Sequence, residues 1–149
     1  MDILVKTPIP FAIDDVFLAM RDHLPELARY MPSIDQVTIL ERQQIDTDRV
    51  FLVNKWQASP TEIPSVARPF VNADKSFWID RATWSKSNCI AQWSLEMGFM
   101  PERVKCDGTT SYHKLNEHLT EMRVQGSLSL NLKGLVPRLL LGRATSAVE

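Results

Sequence analysis

SFWIDRATWSKSNCIAQWSLEMGF, residues 76–99, is two runs of alternating residues either side of a polar break. In the first run, Ser76 to Trp84, the residues Trp78, Asp80, Ala82 and Trp84 fall on one side of a strand. Arg81 falls on the other. The second run, Cys89 to Phe99, places Cys89, Ala91, Trp93, Leu95 and Met97 on one side and Gln92, Ser94 and Glu96 on the other. A period of two is the mark of a half-buried strand, and Ser85-Lys86-Ser87-Asn88 supplies the turn. Pairing Trp84 with Cys89 puts both apolar sets on one face, with Asp80 opposite Trp93. A slip of one residue would turn every side chain of a strand to the other face. The hairpin therefore needs a cover over its tryptophan-rich side.

Working outward, the same pattern recurs on both flanks. Ile34 to Gln44 and Arg49 to Ala58 make a hairpin around Ile45-Asp46-Thr47-Asp48. Pairing Gln44 with Arg49 sets Val37, Ile39, Leu52, Asn54 and Trp56 on one face. Thr109 to Leu115 and Leu119 to Leu132 make another around Asn116-Glu117-His118. Pairing Leu115 with Leu119 sets Thr110, Tyr112, Met122 and Val124 together, continued by Leu128 and Leu130. Pro101 to Gly108 reads as a polar connection. Ile3 to Thr7 is a seventh short strand, ended by Pro8 and Pro10. Ser59 to Lys75 carries Pro60, Pro64 and Pro69, which exclude a central strand; it is expected to be an entrance loop in which Val66 and Phe70 close over a ligand.

The covers are helices. Phe11, Val16, Phe17, Met20 and Leu24 recur near 3.6 residues, with Asp14 and Asp15 in the first turn where the helix dipole favours acids. Pro25 breaks this helix, and Glu26 to Met31 forms a second short one. After Gly134, Pro137 suits a helix start, and Val136, Leu139, Leu140, Ala144, Ala147 and Val148 form an apolar face. The expected fold class is α+β. A curved antiparallel sheet of about seven strands has two short N-terminal helices and a C-terminal helix across its concave face, in a single domain over residues 1–149. A helix across a strongly curved sheet need not fill the concavity, which leaves a pocket.

Composition narrows the function. The 149 residues carry a formal net charge of -1, with Lys and Arg scattered, so no basic stripe for nucleic acid is present. No run approaches the roughly 20 apolar residues of a membrane span. The N-terminus lacks the layout of an export signal, so Cys89 and Cys106 are expected to be free thiols in a reducing cytoplasm. There is no glycine-rich phosphate loop, no His-Glu-x-x-His and no Cys-x-x-Cys. His113 and His118 flank a turn, and His113 faces Glu121 on the solvent side, so neither a metal nor a cofactor is expected.

Among inward-facing residues Asp80 is the most informative. A buried carboxylate without a partner costs free energy and its pKa rises. It orients a ligand or acts as an acid/base, or else it is a solvated residue near the sheet edge or a partner of Arg138 or Arg143 on the terminal helix. Asn54, Thr110 and Tyr112 are either ligand-orienting groups or ordinary hydrogen-bonded core. Trp56, Trp78 and Trp93 are pocket wall or plain core, and Met122 suits an adaptable wall. The expected ligand-binding set is Asn54, Trp56, Trp78, Asp80, Trp93, Tyr112 and Met122.

The element order resembles the helix-grip fold of the START-like superfamily, which includes the Bet v 1 allergens, polyketide cyclases and coenzyme Q-binding proteins. Ile3-Leu4-Val5, Thr7-Pro8-Ile9-Pro10, the helix from Phe11, Tyr30-Met31-Pro32 before the strand at Ile34, Trp78 and Trp93, and the helix from Leu135 carry the resemblance. It covers essentially the whole chain. It implies binding or transport of a small hydrophobic ligand: a lipid, a quinone or a polyketide-like molecule. Two alternatives stay open. One is a cyclase or dehydratase using Asp80 or Tyr112 as acid/base. The other is a protein-interaction module whose terminal helix exposes an apolar face to a partner, giving a concentration-dependent homodimer. The terminal helix, about fourteen residues after Leu135, spans only ~20 Å and is shorter than in those proteins. That leaves a truncated chain, or a shallow or shared pocket, as expectations.

Overall fold

The computed structural model describes residues 1–60, 65–66, 69 and 73–131. The expected C-terminal helix, with Arg138 and Arg143, lies outside the described residues, as does most of the proline-rich loop, including Phe70. Seven strands form one fully antiparallel, curved sheet. They are β1 (Asp2–Ile9), β2 (Ile34–Gln44), β3 (Arg49–Ala58), β4 (Phe77–Ser85), β5 (Ile90–Met97), β6 (Val104–Asn116) and β7 (Leu119–Leu130). Their order across the sheet is β1-β7-β6-β5-β4-β3-β2, so consecutive hairpins run from β2 to β7 and β1 closes beside β7. Pro8 does not end β1. It sits within the strand opposite Glu121, tolerated because β1 is an edge strand.

Two helices follow β1: α1 (Ile13–Asp22) and the single turn α2 (Leu24–Leu27), continued by a 3-10 turn over Ala28–Tyr30. The second helix starts two residues earlier than the sequence suggests. Pro25 sits in its first turn, where a missing N–H costs nothing, rather than interrupting a longer helix. Val16 and Phe17 are the buried residues of α1. Phe17 is fully buried and meets Trp84 and Tyr112 edge-on, with ring centroids 5.5 and 5.7 Å away. This joins α1 to β4 and β6 in the main core cluster with Val50, Leu52, Ala82 and Ala91. Leu24, Ala28 and Val37 form a smaller cluster beneath α2. Asp22 accepts hydrogen bonds at 2.8 Å from both Arg21 and Arg42, tying the end of α1 to β2.

The ladders correct three details. First, β4 and β5 pair as Trp84 with Ala91 and Ala82 with Trp93, so Asp80 lies opposite Leu95, not Trp93. The turn is Lys86–Cys89, and Cys89 takes a positive φ of 51°. Asp48 holds it there by accepting from the Ser85 and Ser87 hydroxyls and the Ser87 N–H. The pairing differs by two residues, and a shift of two preserves the faces. Second, β2 carries register shifts at Asp35 and Leu40, so the expected pairing holds from Gln36 to Ile39 but slips by one toward the turn. Leu40 is exposed, and Ile39 is 39% exposed despite its inward parity. Third, β6 begins at Val104 rather than Thr109. Arg103, Lys105 and Asp107 make this stretch read as polar, yet Val104 and Cys106 are buried and Cys106 pairs with Leu95. Tyr112 lies opposite Met122 and Thr110 opposite Val124, as expected, with a shift only at Leu115.

Candidate functional site

Alternation along the sheet decides what the concave face presents. From β4 come Trp78, Asp80, Ala82 and Trp84; across from them stand Met97, Leu95, Trp93 and Ala91 of β5. On the other side stand Trp56, Asn54, Leu52 and Val50 of β3. Thr110 and Tyr112 of β6 and Met122 and Val124 of β7 extend the same face. This face borders a cavity of about 300 Å³. Its wall is Trp56, Trp78, Asp80, Ala82, Trp84, Ala91, Trp93, Leu95, Thr110, Tyr112, Met122 and Val124, with Met20 of α1 and Leu24 of α2 closing one side. The volume falls at the small end of ligand pockets, large enough for a ring system.

Each aromatic wall residue has a local reason for its pose. Trp56 and Trp78 are directly paired on β3 and β4, and their rings stack at 5.7 Å and 13°. Trp84 and Tyr112 lie nearly parallel at 6.3 Å, with Phe17 edge-on to both. Trp93 lies over two glycines. Gly108 is its partner on β6, and Gly126 is the partner of Gly108 on β7. A Cβ on Gly126 would stand 3.0 Å from Trp93 Cη2 and 2.5 Å from the Asp107 carbonyl oxygen. A Cβ on Gly108 would stand 2.8 Å from Trp93 Cζ2. The absent side chains let the indole lie flat against the sheet, and its N–H donates to Thr110 Oγ1 at 3.0 Å. Trp93 thus forms a fixed wall and leaves the space above it open.

The polar groups are few. Asp80 is largely buried, and burial pushes its carboxyl up to about 6. Asp80 Oδ1, Asn54 Oδ1 and the indole nitrogens of Trp56 and Trp84 are buried without hydrogen-bond partners among the described residues. Burial, followed by the neighbouring Asp80 charge, raises the Tyr112 phenol above its ordinary value, so it stays protonated. No Lys, Arg or His among the described residues lines the cavity.

The structure brings six of the seven expected site residues into this wall: Trp56, Trp78, Asp80, Trp93, Tyr112 and Met122. Asn54 is the correction. It is paired with Asp80 and only 2% exposed, but it is enclosed between β2 and β4 and does not line the cavity. Met20 and Leu24 were legible only as part of an apolar helix face, because sequence does not fix which sheet position a helix covers. Ala82, Ala91 and Leu95 carried the right parity but no chemistry to single them out. Burial raises the pKa of both free cysteines, Cys89 and Cys106, away from thiolate chemistry.

A second apolar groove of about 520 Å³ runs along α1 past Ile9, Phe11, Leu27 and Tyr30. Its one ionisable acid, Asp15, is exposed, so it offers no buried polar atom to orient a ligand. Among the described residues no three His, Cys, Asp or Glu side chains converge on a metal-sized site. No described helix is long and apolar enough to cross a membrane.

This architecture is the helix-grip fold. No family model matches the chain, and no curated protein matches it. Solved structures do. The chain is similar to the Zhui aromatase/cyclase from Streptomyces sp. R1128, with a TM-score of 0.65 and 14% identity over 88% of this chain and 68% of that one. It is similar to a protein from Thermus thermophilus, with a TM-score of 0.64 and 16% identity over 100% of this chain and 90% of that one. It is also similar to norcoclaurine synthase from Thalictrum flavum, with a TM-score of 0.57 and 11% identity over 92% of this chain and 75% of that one. At these identities the likeness establishes the fold.

Proposed function

We propose that the protein binds a small hydrophobic molecule containing a ring in the cavity beneath the sheet. One observation carries this reading. The described wall of the cavity is almost wholly apolar and aromatic, yet it includes the Asp80 carboxyl, whose Oδ1 has no hydrogen-bond partner among the described residues. A core built only for stability would fill such a space, since empty volume costs roughly 24 cal/mol per Å³. It would also pair or omit the acid. Similarity in fold to an aromatase/cyclase and to norcoclaurine synthase supports ring-sized ligands over long acyl chains. Calorimetric titration with menadione, emodin and tryptophol tests it. At least one should bind with one-to-one stoichiometry, and Val124→Phe, which fills the cavity from β7, should abolish the heat. Unchanged binding in that variant would place the ligand elsewhere.

A second reading follows from the Asp80 carboxyl at about 6 beside the protonated Tyr112 phenol. A group that titrates near neutrality serves as a general acid or base. In a cyclase or dehydratase, Asp80→Asn would eliminate turnover of a polyketide-like substrate while leaving its binding intact. In a carrier there is no turnover to lose.

A further inference from the structure

We infer that the cavity selects, within the ring-bearing hydrophobic class, ligands whose polar end is an ammonium group, and that Asp80 is the residue that reads it. The inference rests on the proposed ligand pocket and adds the chemistry of the ligand's polar end. Three observations carry it. Asp80 is part of the cavity wall, and its Oδ1 has no hydrogen-bond partner among the described residues. No described side chain lining the cavity supplies a positive charge to answer it. The cavity wall that Asp80 belongs to also includes the rings of Trp56, Trp78, Trp84, Trp93 and Tyr112.

A carboxylate set among aromatic rings is the arrangement that recognises an organic cation. The ring quadrupoles attract the charge, the carboxylate accepts its hydrogen bonds, and burial strengthens both. The same surroundings act against a carboxylic acid ligand, whose charge would meet that of Asp80 with nothing to separate them. A neutral alcohol falls between, donating one hydrogen bond without a charge.

Among the described residues, the groups near Asp80 are these. Its β3 neighbours Asn54 and Trp56 do not titrate, and its β5 partner is Leu95. From α1 and α2, Met20 and Leu24 are apolar. Tyr112 stays protonated throughout the physiological range. The charged pair Arg81–Glu96, at 3.1 Å, comes from positions of opposite parity on β4 and β5 and so lies on the other face. Asp80 is therefore the one described group of the wall whose charge changes near pH 6, and amine affinity should weaken as pH falls through that value.

The test compares tryptamine, tryptophol and indoleacetic acid, which share one ring and differ in the polar end. Calorimetric titration of the whole chain at about pH 8 should show tryptamine binding about ten-fold tighter than tryptophol, with indoleacetic acid weakest, as a charge-assisted contact predicts. At about pH 5 the amine's advantage should shrink severalfold, while the alcohol changes little. Asp80→Asn, nearly isosteric, should remove the advantage and keep tryptophol binding; the pH comparison gives the same information without a substitution. If tryptophol binds but tryptamine shows no preference, or if the preference survives Asp80→Asn, the pocket stands and the ammonium inference falls. If indoleacetic acid binds tightest, the inference is likewise overturned. If none of the three binds while menadione or emodin does, the pocket stands and the ammonium inference falls; if menadione and emodin fail as well, the pocket reading falls and takes this inference with it.

Discussion

Asp80 decides most at the scale of single residues. Its folded-state pKa, about 6, stands above its ordinary value of 3.8. Between those values the folded protein holds a proton that the unfolded chain has lost, so this group's contribution to stability falls as pH rises from about 4 to about 6. Above that it is a constant cost of burying a charge, on the order of 1–3 kcal/mol. Asp80→Asn should therefore raise stability at neutral pH by up to that amount and flatten the pH dependence across this window, as chemical denaturation would show. A variant less stable than the parent by more than about 1 kcal/mol would mean that Asp80 has a stabilising partner. Phe17 works in the opposite sense. Being fully buried between Trp84 and Tyr112, its replacement by alanine should cost about 3–5 kcal/mol.

Within the elements, the glycine pair of β6 and β7 shows how backbone chemistry shapes the site. Gly126→Ala places a methyl group 2.5 Å from the Asp107 carbonyl oxygen and 3.0 Å from the Trp93 ring. The strands must part or the indole must lift. The expected cost is about 1–3 kcal/mol, with a change in tryptophan emission as Trp93 moves into the cavity. Unaltered emission and stability would show that the glycines do not set the indole's pose. The strand elements were largely legible because a period of two survives errors of pairing. The β4–β5 turn is displaced by one residue and the pairing by two, yet Trp78, Asp80, Trp93 and Leu95 keep their face. What sequence hid was hidden by specific contacts. The Asp48 carboxylate fixes the β4–β5 turn from the neighbouring β2–β3 turn. Lys105 and Asp107 disguised the start of β6 because its outward half is charged. Asn54 had the right parity, but parity does not tell cavity wall from enclosed core.

For the whole molecule, the claim is that a curved sheet with helices at one end retains a usable void. The cavity is bounded by β3 to β7 and by Met20 and Leu24, so occupancy couples the sheet to the helices. A bound ligand should raise the melting temperature, as expected for anything that binds only the folded state; at a hundred times its dissociation constant it adds about 2.7 kcal/mol. The most direct measurement is the set of four indole N–H resonances in isotope-labelled protein during titration with tryptophol. Trp56 and Trp84 have buried indole nitrogens without partners, whereas Trp93 already donates to Thr110. The account predicts saturable shifts of the Trp56 and Trp84 signals, a smaller one for Trp93, and loss of all of them in Val124→Phe. Binding that leaves the indole signals of Trp56, Trp84 and Trp93 unmoved would contradict it.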